Sequence, residues 1–482
     1  MTRSTARLKP TSLQSAAITA CLYLCLCLGG QTASAVADGQ VTAYVGATLI
    51  DGRGGSPERD ATVLVENGRF LAVGSEVDIP VQAVVIDVSG KWITPGLIDA
   101  HVHFMTSGRM YTRPAFFDLT DKVPYDQEVA WIKAHLPDTL RSYTCAGVTA
   151  VLSLGGPSIE YEARALAQTM NNAPSVFIGH GVIAHTPKAI AESMIAPWDG
   201  ELTIKPVTSA SDVRSVIDDA VALKADLIKT AIDDRGSKLL AAMMWWWDWQ
   251  ELEAAMVAEA AEKGLRVTTH THQLEYARTL VDIGIASLQH VPSDSPVDDA
   301  FARSLIDGAV VVVPTLAIRE RTFDELFTKD IDLQPIERRC AQPEIIESWY
   351  EPLPPHDEQS ERYRAEGKMA ALNTKALFEA GVMLAAGTDA GMMGLAPGAS
   401  MHLELIAMNK AGIPSLDVIR AATLNSAKLI GVDDEYGSVE SGKVADFLVL
   451  NKNPLTDVRN LQSIERVVKA GLAIDPSALI PQ

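Results

Sequence analysis

Eight short β-like runs constrain this chain more than any other feature. They are GLIDAHVHF, GVTAVLSLG, PSVFIGHG, ADLIKTAI, LRVTTHTH, ASLQHV, AVVVVPTLAI and VMLAAGTDAG, spread over residues 96–391. Several are separated by stretches of helical periodicity, such as WQELEAAMVAEAAEKG and QLEYARTLVDIG. Repeated strand–helix units predict an α/β architecture with a parallel sheet, and eight of them predict a (β/α)8 TIM barrel. β-like runs also stand outside this block. ATVLVENGRFLAVG carries an Asn67-Gly68 hairpin signal, and GKVADFLVLNKNP and IERVVKAGLAI lie near the C-terminus. Strands at both ends predict a small β-sandwich domain assembled from 36–95 and 432–482, with the barrel spanning 96–431 between them. An insertion at about 319–368, rich in proline, exceeds a normal barrel connection. It reads either as a lid over the active-site face or as a packing element.

Residues 1–35 carry Arg3, Arg7 and Lys9, then an apolar run, then Ala33-Ser34-Ala35. This is the pattern of a secretory signal peptide, with an apolar run too short for a membrane span. The expectation is a periplasmic or secreted protein with no stable membrane span once the signal is removed. Cleavage would leave Cys145 and Cys340. Two cysteines make no disulfide framework, and they read as buried small hydrophobes, with a single bridge left open. The 482 residues carry a formal net charge of -20. That acidity argues against nucleic acid as a partner, because a phosphate backbone calls for a basic patch.

The barrel reading gives the polar residues of the runs a common location. Barrel active sites sit at the C-terminal ends of the strands. His101 and His103 lie late in the first run, at i and i+2, so alternation turns them the same way. Lys229, His270, His290 and Asp389 fall late in the fourth, fifth, sixth and eighth runs. Imidazole is the commonest metal ligand. Lys229 should point inward with Leu227 and Ala231. A bare ammonium there is costly to bury, and carboxylation by CO2 is one solution. Snorkelling, or pairing with Asp233 or Asp234, is the other.

This set resembles the amidohydrolase superfamily, close to bacterial prolidase-like and imidazolonepropionase-related enzymes. PGLIDAHVH, the lysine of IKTA, the first histidine of HTH, the histidine of SLQH and GTDAG stand in family order, and GSVESGKVADFLVLNKNPL resembles the family's C-terminal segment. The resemblance implies that His101, His103 and Asp389 hold one divalent ion and that His270 and His290 hold a second. It further implies that N6-carboxylated Lys229 bridges them. Zinc is the default metal for such ligands; manganese, iron or cobalt would also fit. A metal-bridging hydroxide would attack a carbonyl, with Asp389 as ligand, as proton acceptor, or both.

The expected reaction is cleavage of an amide bond, in a dipeptide or N-acyl amino acid, of a small-molecule substrate. The alternative is lactone, ester or organophosphate hydrolysis on the same site. Relatives of this kind often form homo-oligomers. His272 reads as a donor behind the ligands, as a substrate contact, or as a core histidine with a backbone partner. His180 or His185, after the third run, is the candidate for substrate contact, with no choice between them. Arg235 is a candidate carboxylate ligand or a loop arginine. Trp245, Trp246, Trp247 and Trp249 read as a pocket lining or a packed helix start. One departure stands out. Thr230-Ala231-Ile232-Asp233-Asp234-Arg235-Gly236 replaces the Ser-Gly-Gly type turn common after the lysine in prolidase-like relatives, so dipeptide specificity does not transfer by motif.

Overall fold

The computed structural model describes residues 39–113, 117–194, 197–233, 249–353 and 358–480. The signal-like segment, Asp234, Arg235 and Trp245–Trp247 lie outside the described residues.

Seven consecutive parallel strands build the barrel wall: β6 (Leu97–Val102), β7 (Val148–Ser153), β8 (Ser175–Ala184), β10 (Leu227–Ala231), β11 (Val267–His270), β12 (Ser287–Gln289) and β13 (Val311–Val313). A two-residue strand, β9 (Lys205–Pro206), adds to β8. These strands are short and rich in Val, Ile and Thr, whose branched side chains suit a doubly covered sheet.

The eighth run takes the remaining position without a regular ladder. Leu384 bridges Val312 and Ala390 bridges Val102, both in parallel. The amide of Ala100 donates to Ala386 O, and that of Ala385 donates to Val312 O. Ile98, Ala100, Leu152, Leu154, Leu227, Val311, Val313 and Ala385 fill the interior, packed with Ala427, Leu429 and Ile430.

Helices cover the outside for local reasons. Leu274–Ile283 buries Leu274, Ala277, Leu280 and Val281, one face at helical spacing, and ends on Gly284 at φ 100°. Asp298 caps the next helix, Asp299–Asp307, by accepting from the Phe301 amide at 2.9 Å.

The two ends of the chain build a second sheet of β1 (Thr42–Leu49), β2 (Glu58–Glu66), β3 (Arg69–Gly74), β4 (Val84–Asp87), β5 (Trp92–Pro95), β14 (Phe447–Leu450), β15 (Ile464–Lys469) and β16 (Leu472–Ile474). Asn67 and Gly68 both adopt positive φ in the β2–β3 hairpin, as the turn signal predicts. The expected small sandwich from both termini is built of one continuous mixed sheet, in the order β16-β15-β14-β5-β1-β2-β3 with β4 beside β1. It curls on itself. Phe70 of β3 lies 5.8 Å from Phe447 of β14, although β5, β1 and β2 stand between them in the sheet. The curl supplies the covered core that a flat sheet would lack.

The insertion is firmly packed over its described residues. Arg321 is buried and bonds Glu337 with two parallel hydrogen bonds of 2.9 and 3.1 Å. The Trp349 indole N–H donates to Gly108 O at 2.8 Å, and the Met110 amide donates to Ser348 Oγ at 3.1 Å. The insertion therefore braces the loop that leaves His103. Cys145 and Cys340 are both wholly buried, as read from the sequence, but they are joined as a disulfide with Cα atoms 5.6 Å apart. It links the end of helix Tyr125–Cys145 to the end of helix Pro335–Cys340. No helix among the described residues is long and apolar enough to cross a membrane.

Candidate metal centre

Six of the singled-out residues converge at the C-terminal ends of the barrel strands. His101 is the fifth residue of β6, and His103 lies just past its end. The pairing of β6 with β7 has a register irregularity between Asp99 and Val102, the stretch that carries His101. Asp389 Oδ1 lies 3.4 Å from His101 Nε2 and 3.3 Å from His103 Nε2. The ring of His290 is 5.0 Å from His101 and 4.5 Å from His270. Lys229, buried on β10, is close enough to Asp389 for that charge to act on it. Among the described residues, two groups have ligand atoms mutually within 4.8 Å: His101, His290 and Asp389, and His270, His272 and His290.

The backbone is bent to reach this arrangement. His290 and Thr315 follow β12 and β13, Asp389 lies late in the eighth run, and all three hold left-handed φ values of 73°, 51° and 63°. Such conformations cost non-glycine residues roughly 1–3 kcal/mol each and cluster at functional sites. Buried carboxylates hold the segments in place. Asp99 accepts from the amides of His101 and Thr388 and from the Thr388 hydroxyl, tying β6 to the Asp389 segment. Glu160 accepts from the amides of Phe104 and Met105, just after His103. Glu404 accepts from the Ala317 amide, just after Thr315.

Hydrogen bonds also set the imidazole tautomers. The Gly155 carbonyl lies 3.1 Å from His103 Nδ1 and can only accept, so Nδ1 carries the proton and Nε2 the lone pair. The Thr315 hydroxyl donates to Pro314 O and therefore accepts from His290 Nδ1 at 2.5 Å. Burial keeps the imidazoles of His101 and His290 far below their ordinary range and lowers that of His270. Burial also brings the Lys229 amine down to about 7, partly opposed by Asp389. For Asp389, burial acts upward, but His101, His103 and Lys229 outweigh it and hold the carboxyl below its usual range.

This set fits divalent ions. Lys229 Nζ, His101 Nδ1, His270 Nε2 and Asp389 Oδ1 are buried without a hydrogen-bond partner among the described residues. Buried polar atoms are rarely left so, and neutral imidazoles with an ionised carboxylate are the forms that bind metal.

The other candidates fall elsewhere. His180 is bonded through Nδ1 to Tyr161 OH on the helix Ile159–Ala167, at 2.7 Å. Burial first, then Lys205, lowers its imidazole to about 4. His185 Nε2 lies 2.9 Å from Glu253 on the helix Trp249–Glu262, a carboxylate that also accepts from Thr230 and Thr269. Both histidines are thus turned toward the covering helices, and neither joins the two ligand groups. His272 does join one of them. Trp249 is a buried helix-start residue packed 5.6 Å from Tyr276. Asp233 bonds His272 at 2.8 Å, and Lys229 Nζ has no hydrogen-bond partner among the described residues. Thr315, Asp99 and Glu160 escaped sequence reasoning. A carboxylate inside an otherwise apolar strand, as in LIDAH, was the one available signal.

A family model described as the amidohydrolase family matches residues 92–474. An ochratoxinase of Aspergillus niger is 25% identical over 454 residues, covering 89% of this chain and 85% of that protein. An imidazolonepropionase of Deinococcus deserti is 23% identical over 415 residues, covering 83% and 87%. Among solved structures, a Xaa-Pro dipeptidase with bound methionine matches with a TM-score of 0.69 at 22% identity, over 90% of this chain and 100% of that one.

Proposed function

The chain belongs to the amidohydrolase family of C–N bond hydrolases, and we propose that it cleaves an amide bond, in a dipeptide or N-acyl amino acid, at a centre of two divalent ions. In this reading His101, His103 and Asp389 hold one ion, and His270 and His290 hold the other. Zinc is the first choice for such donors. The observation that carries the reading is Lys229: a buried amine with no hydrogen-bond partner among the described residues, beside an ionised carboxylate and a cluster of neutral imidazoles.

A neutral amine is the form that attacks CO2. The N–C bond forms as one C=O π bond of CO2 shifts onto oxygen, and one of the amine's two protons goes to solvent, leaving the carbamate anion. The two carbamate oxygens would give Lys229 a negative charge and a second donor atom with which to help hold the ions. When bound, a pair of divalent ions lowers the pKa of a water and polarises the scissile carbonyl. Asp389 then receives the water proton at its carboxylate and returns one to the leaving nitrogen. Thr315 and the Gly155 carbonyl keep His290 and His103 in the tautomers that present Nε2. The two curated relatives carry names that refer to different small molecules, which supports the reaction class more than any one substrate.

The chain is further proposed to work in the periplasm or outside the cell. The signal-like N-terminus supports this, as does the Cys145–Cys340 disulfide, since such bonds persist in oxidising compartments.

Elemental analysis of protein purified without chelator, with bicarbonate present, tests the centre. Near two ions per chain is the expected result, followed by turnover of dipeptides or N-acyl amino acids. Protein that takes up no metal would overturn the reading. Turnover of lactones with no amide hydrolysis would reassign the reaction.

A further inference from the structure

A cavity of about 440 Å3 opens between the barrel and the terminal sheet. Its walls are the first residues of β8, Ser175–Phe177, the end of the helix Ile159–Ala167, Tyr436, and the turn from β15 to β16. The start of a barrel strand lies on the face opposite the strand ends that carry the candidate metal ligands. The volume falls in the range of small-molecule sites, about 300–1,000 Å3.

The lining carries one sign of charge. Asp and Glu outnumber Lys and Arg by 61 to 41 in the sequence. The cavity is nevertheless lined by Arg164 and Lys469, and by no carboxylate among the described residues. Asp446 stands behind Lys469. Its Oδ2 accepts from the Lys469 ammonium at 2.8 Å and its Oδ1 from the Ala470 amide at 2.6 Å. Both oxygens are thereby occupied, and the pair holds the lysine in a buried position.

Donors are left over. An ammonium has three N–H groups and a guanidinium five. Lys469 spends one on Asp446 and one on Ser175 Oγ at 3.0 Å. The Ser175 hydroxyl donates on to the Tyr436 hydroxyl at 3.4 Å, which leaves the Tyr436 proton unspent. Arg164 donates to the carbonyls of Leu223 and Lys224 and to Asp226, using three of its five. The described residues supply no acceptor for the donors that remain on these three side chains. Beside them stand apolar walls, Leu472 and Phe177, whose ring meets that of Tyr436 edge-on at 5.7 Å.

We propose that this cavity is a second binding site, for a small carboxylate that carries an aromatic or branched aliphatic group. The carboxylate accepts from Lys469 and Tyr436 in the field of Arg164, and the apolar group packs on Phe177 and Leu472. The site is separate from the metal centre and does not depend on the reading given for it. A ligand there bridges β8 and β15, so it ties the barrel to the terminal sheet and stabilises the folded chain by linkage.

Titration calorimetry of the purified protein with phenylacetate tests the site, repeated with 2-phenylethanol, with inorganic phosphate, and after metal removal by a chelator. Phenylacetate should bind with a Kd of about 1 mM or tighter, and equally well without metal. It should bind at least about tenfold more tightly than the neutral alcohol or phosphate. Lys469→Met should weaken it roughly 10–100-fold, the scale of a hydrogen bond to a charged group, and Leu472→Trp should weaken it by narrowing the cavity. Thermal midpoints control for folding, and Tyr436→Phe replaces Lys469→Met if loss of the pair with Asp446 misfolds the chain.

Binding that disappears with the metal would put the anion at the metal centre and overturn the proposal. Equal affinity for 2-phenylethanol or phosphate would overturn the ligand class. Unchanged affinity in the folded variants, or no phenylacetate binding by the wild type up to about 10 mM, would overturn the site itself.

Discussion

Removing the Cys145–Cys340 bridge should lower the melting temperature by a calculable amount. The two cysteines are 195 residues apart in sequence. Cross-linking a loop of that length removes about 18 cal/mol/K of chain entropy from the unfolded state, or about 5 kcal/mol at 25 °C as an upper bound. Unfolding entropy near 2.1 cal/mol/K per residue gives a chain of this size about 1 kcal/mol/K. A double variant, Cys145→Ala with Cys340→Ala, should therefore melt up to about 5 °C lower in differential scanning calorimetry. The sites are wholly buried, so alanine also leaves a small void, which acts in the same direction. Proteolysis should cut the variant first within 319–353, because the bridge anchors the helix Pro335–Cys340 and, through it, the segment carrying Trp349. A peptide map made without reduction should show Cys145 linked to Cys340. Melting within 1 °C of wild type, or both thiols open to alkylation in the unfolded protein, would refute this account.

Asp389→Asn should leave the fold intact and retain much of the metal while turnover falls by at least about 100-fold, the scale of a lost general acid–base group; rates near wild type would remove Asp389 from proton transfer. Thr315→Val deletes the acceptor for His290 Nδ1 and should weaken one metal position about 10–100-fold, read by chelator competition; an unchanged affinity would show that the tautomer is set elsewhere. Glu404 has its carboxyl pushed up to about 8 by burial, partly opposed by hydrogen bonds from the amides of Ala317 and Leu316. Between about 4.5 and 8 the folded chain therefore holds a proton that the unfolded chain has released, so stability should fall as pH rises through that window, by an amount on the order of a few kcal/mol. Urea midpoints at pH 6 and pH 9 should differ less in Glu404→Gln than in wild type, and equal differences would contradict this.

Much of the barrel was legible because its strands announce themselves by residue type. LRVTTHTH and AVVVVPTLAI could hardly fold otherwise, and β11 and β13 lie inside them. The eighth run was placed correctly but not described correctly. Gly387 lies so close to His101 that a Cβ there would come within 2.8 Å of the His101 Cβ, and Asp389 leaves the extended region two residues later. The run therefore bonds its neighbours through isolated bridges. Residue type also singled out the six side chains that converge, since His, Lys and Asp at strand ends have few structural reasons to be there.

Direction was the part the sequence hid. Strict alternation along β8 cannot say where His180 and His185 point. The strand is irregular against β10 between Ile228 and Thr230, and Gly181 has a φ of 126°. Such a break resets which face each later residue occupies. The Gly155 carbonyl and the partner of Cys145 are equally unreadable, because each depends on a contact made across tens to hundreds of residues.

The same distinction explains the buried acids. Asp99, Glu160 and Glu404 touch no candidate ligand side chain in the hydrogen bonds described, yet each holds backbone amides next to His101, His103 or Thr315. Three strained residues at roughly 1–3 kcal/mol each could not persist on loops free to relax. Buried carboxylates that accept from those loops' amides make relaxation costlier than the strain, because opening a loop would strand a buried acceptor. The barrel therefore supplies the positions of the candidate ligands, and these acids supply the precision with which the ligands face one another.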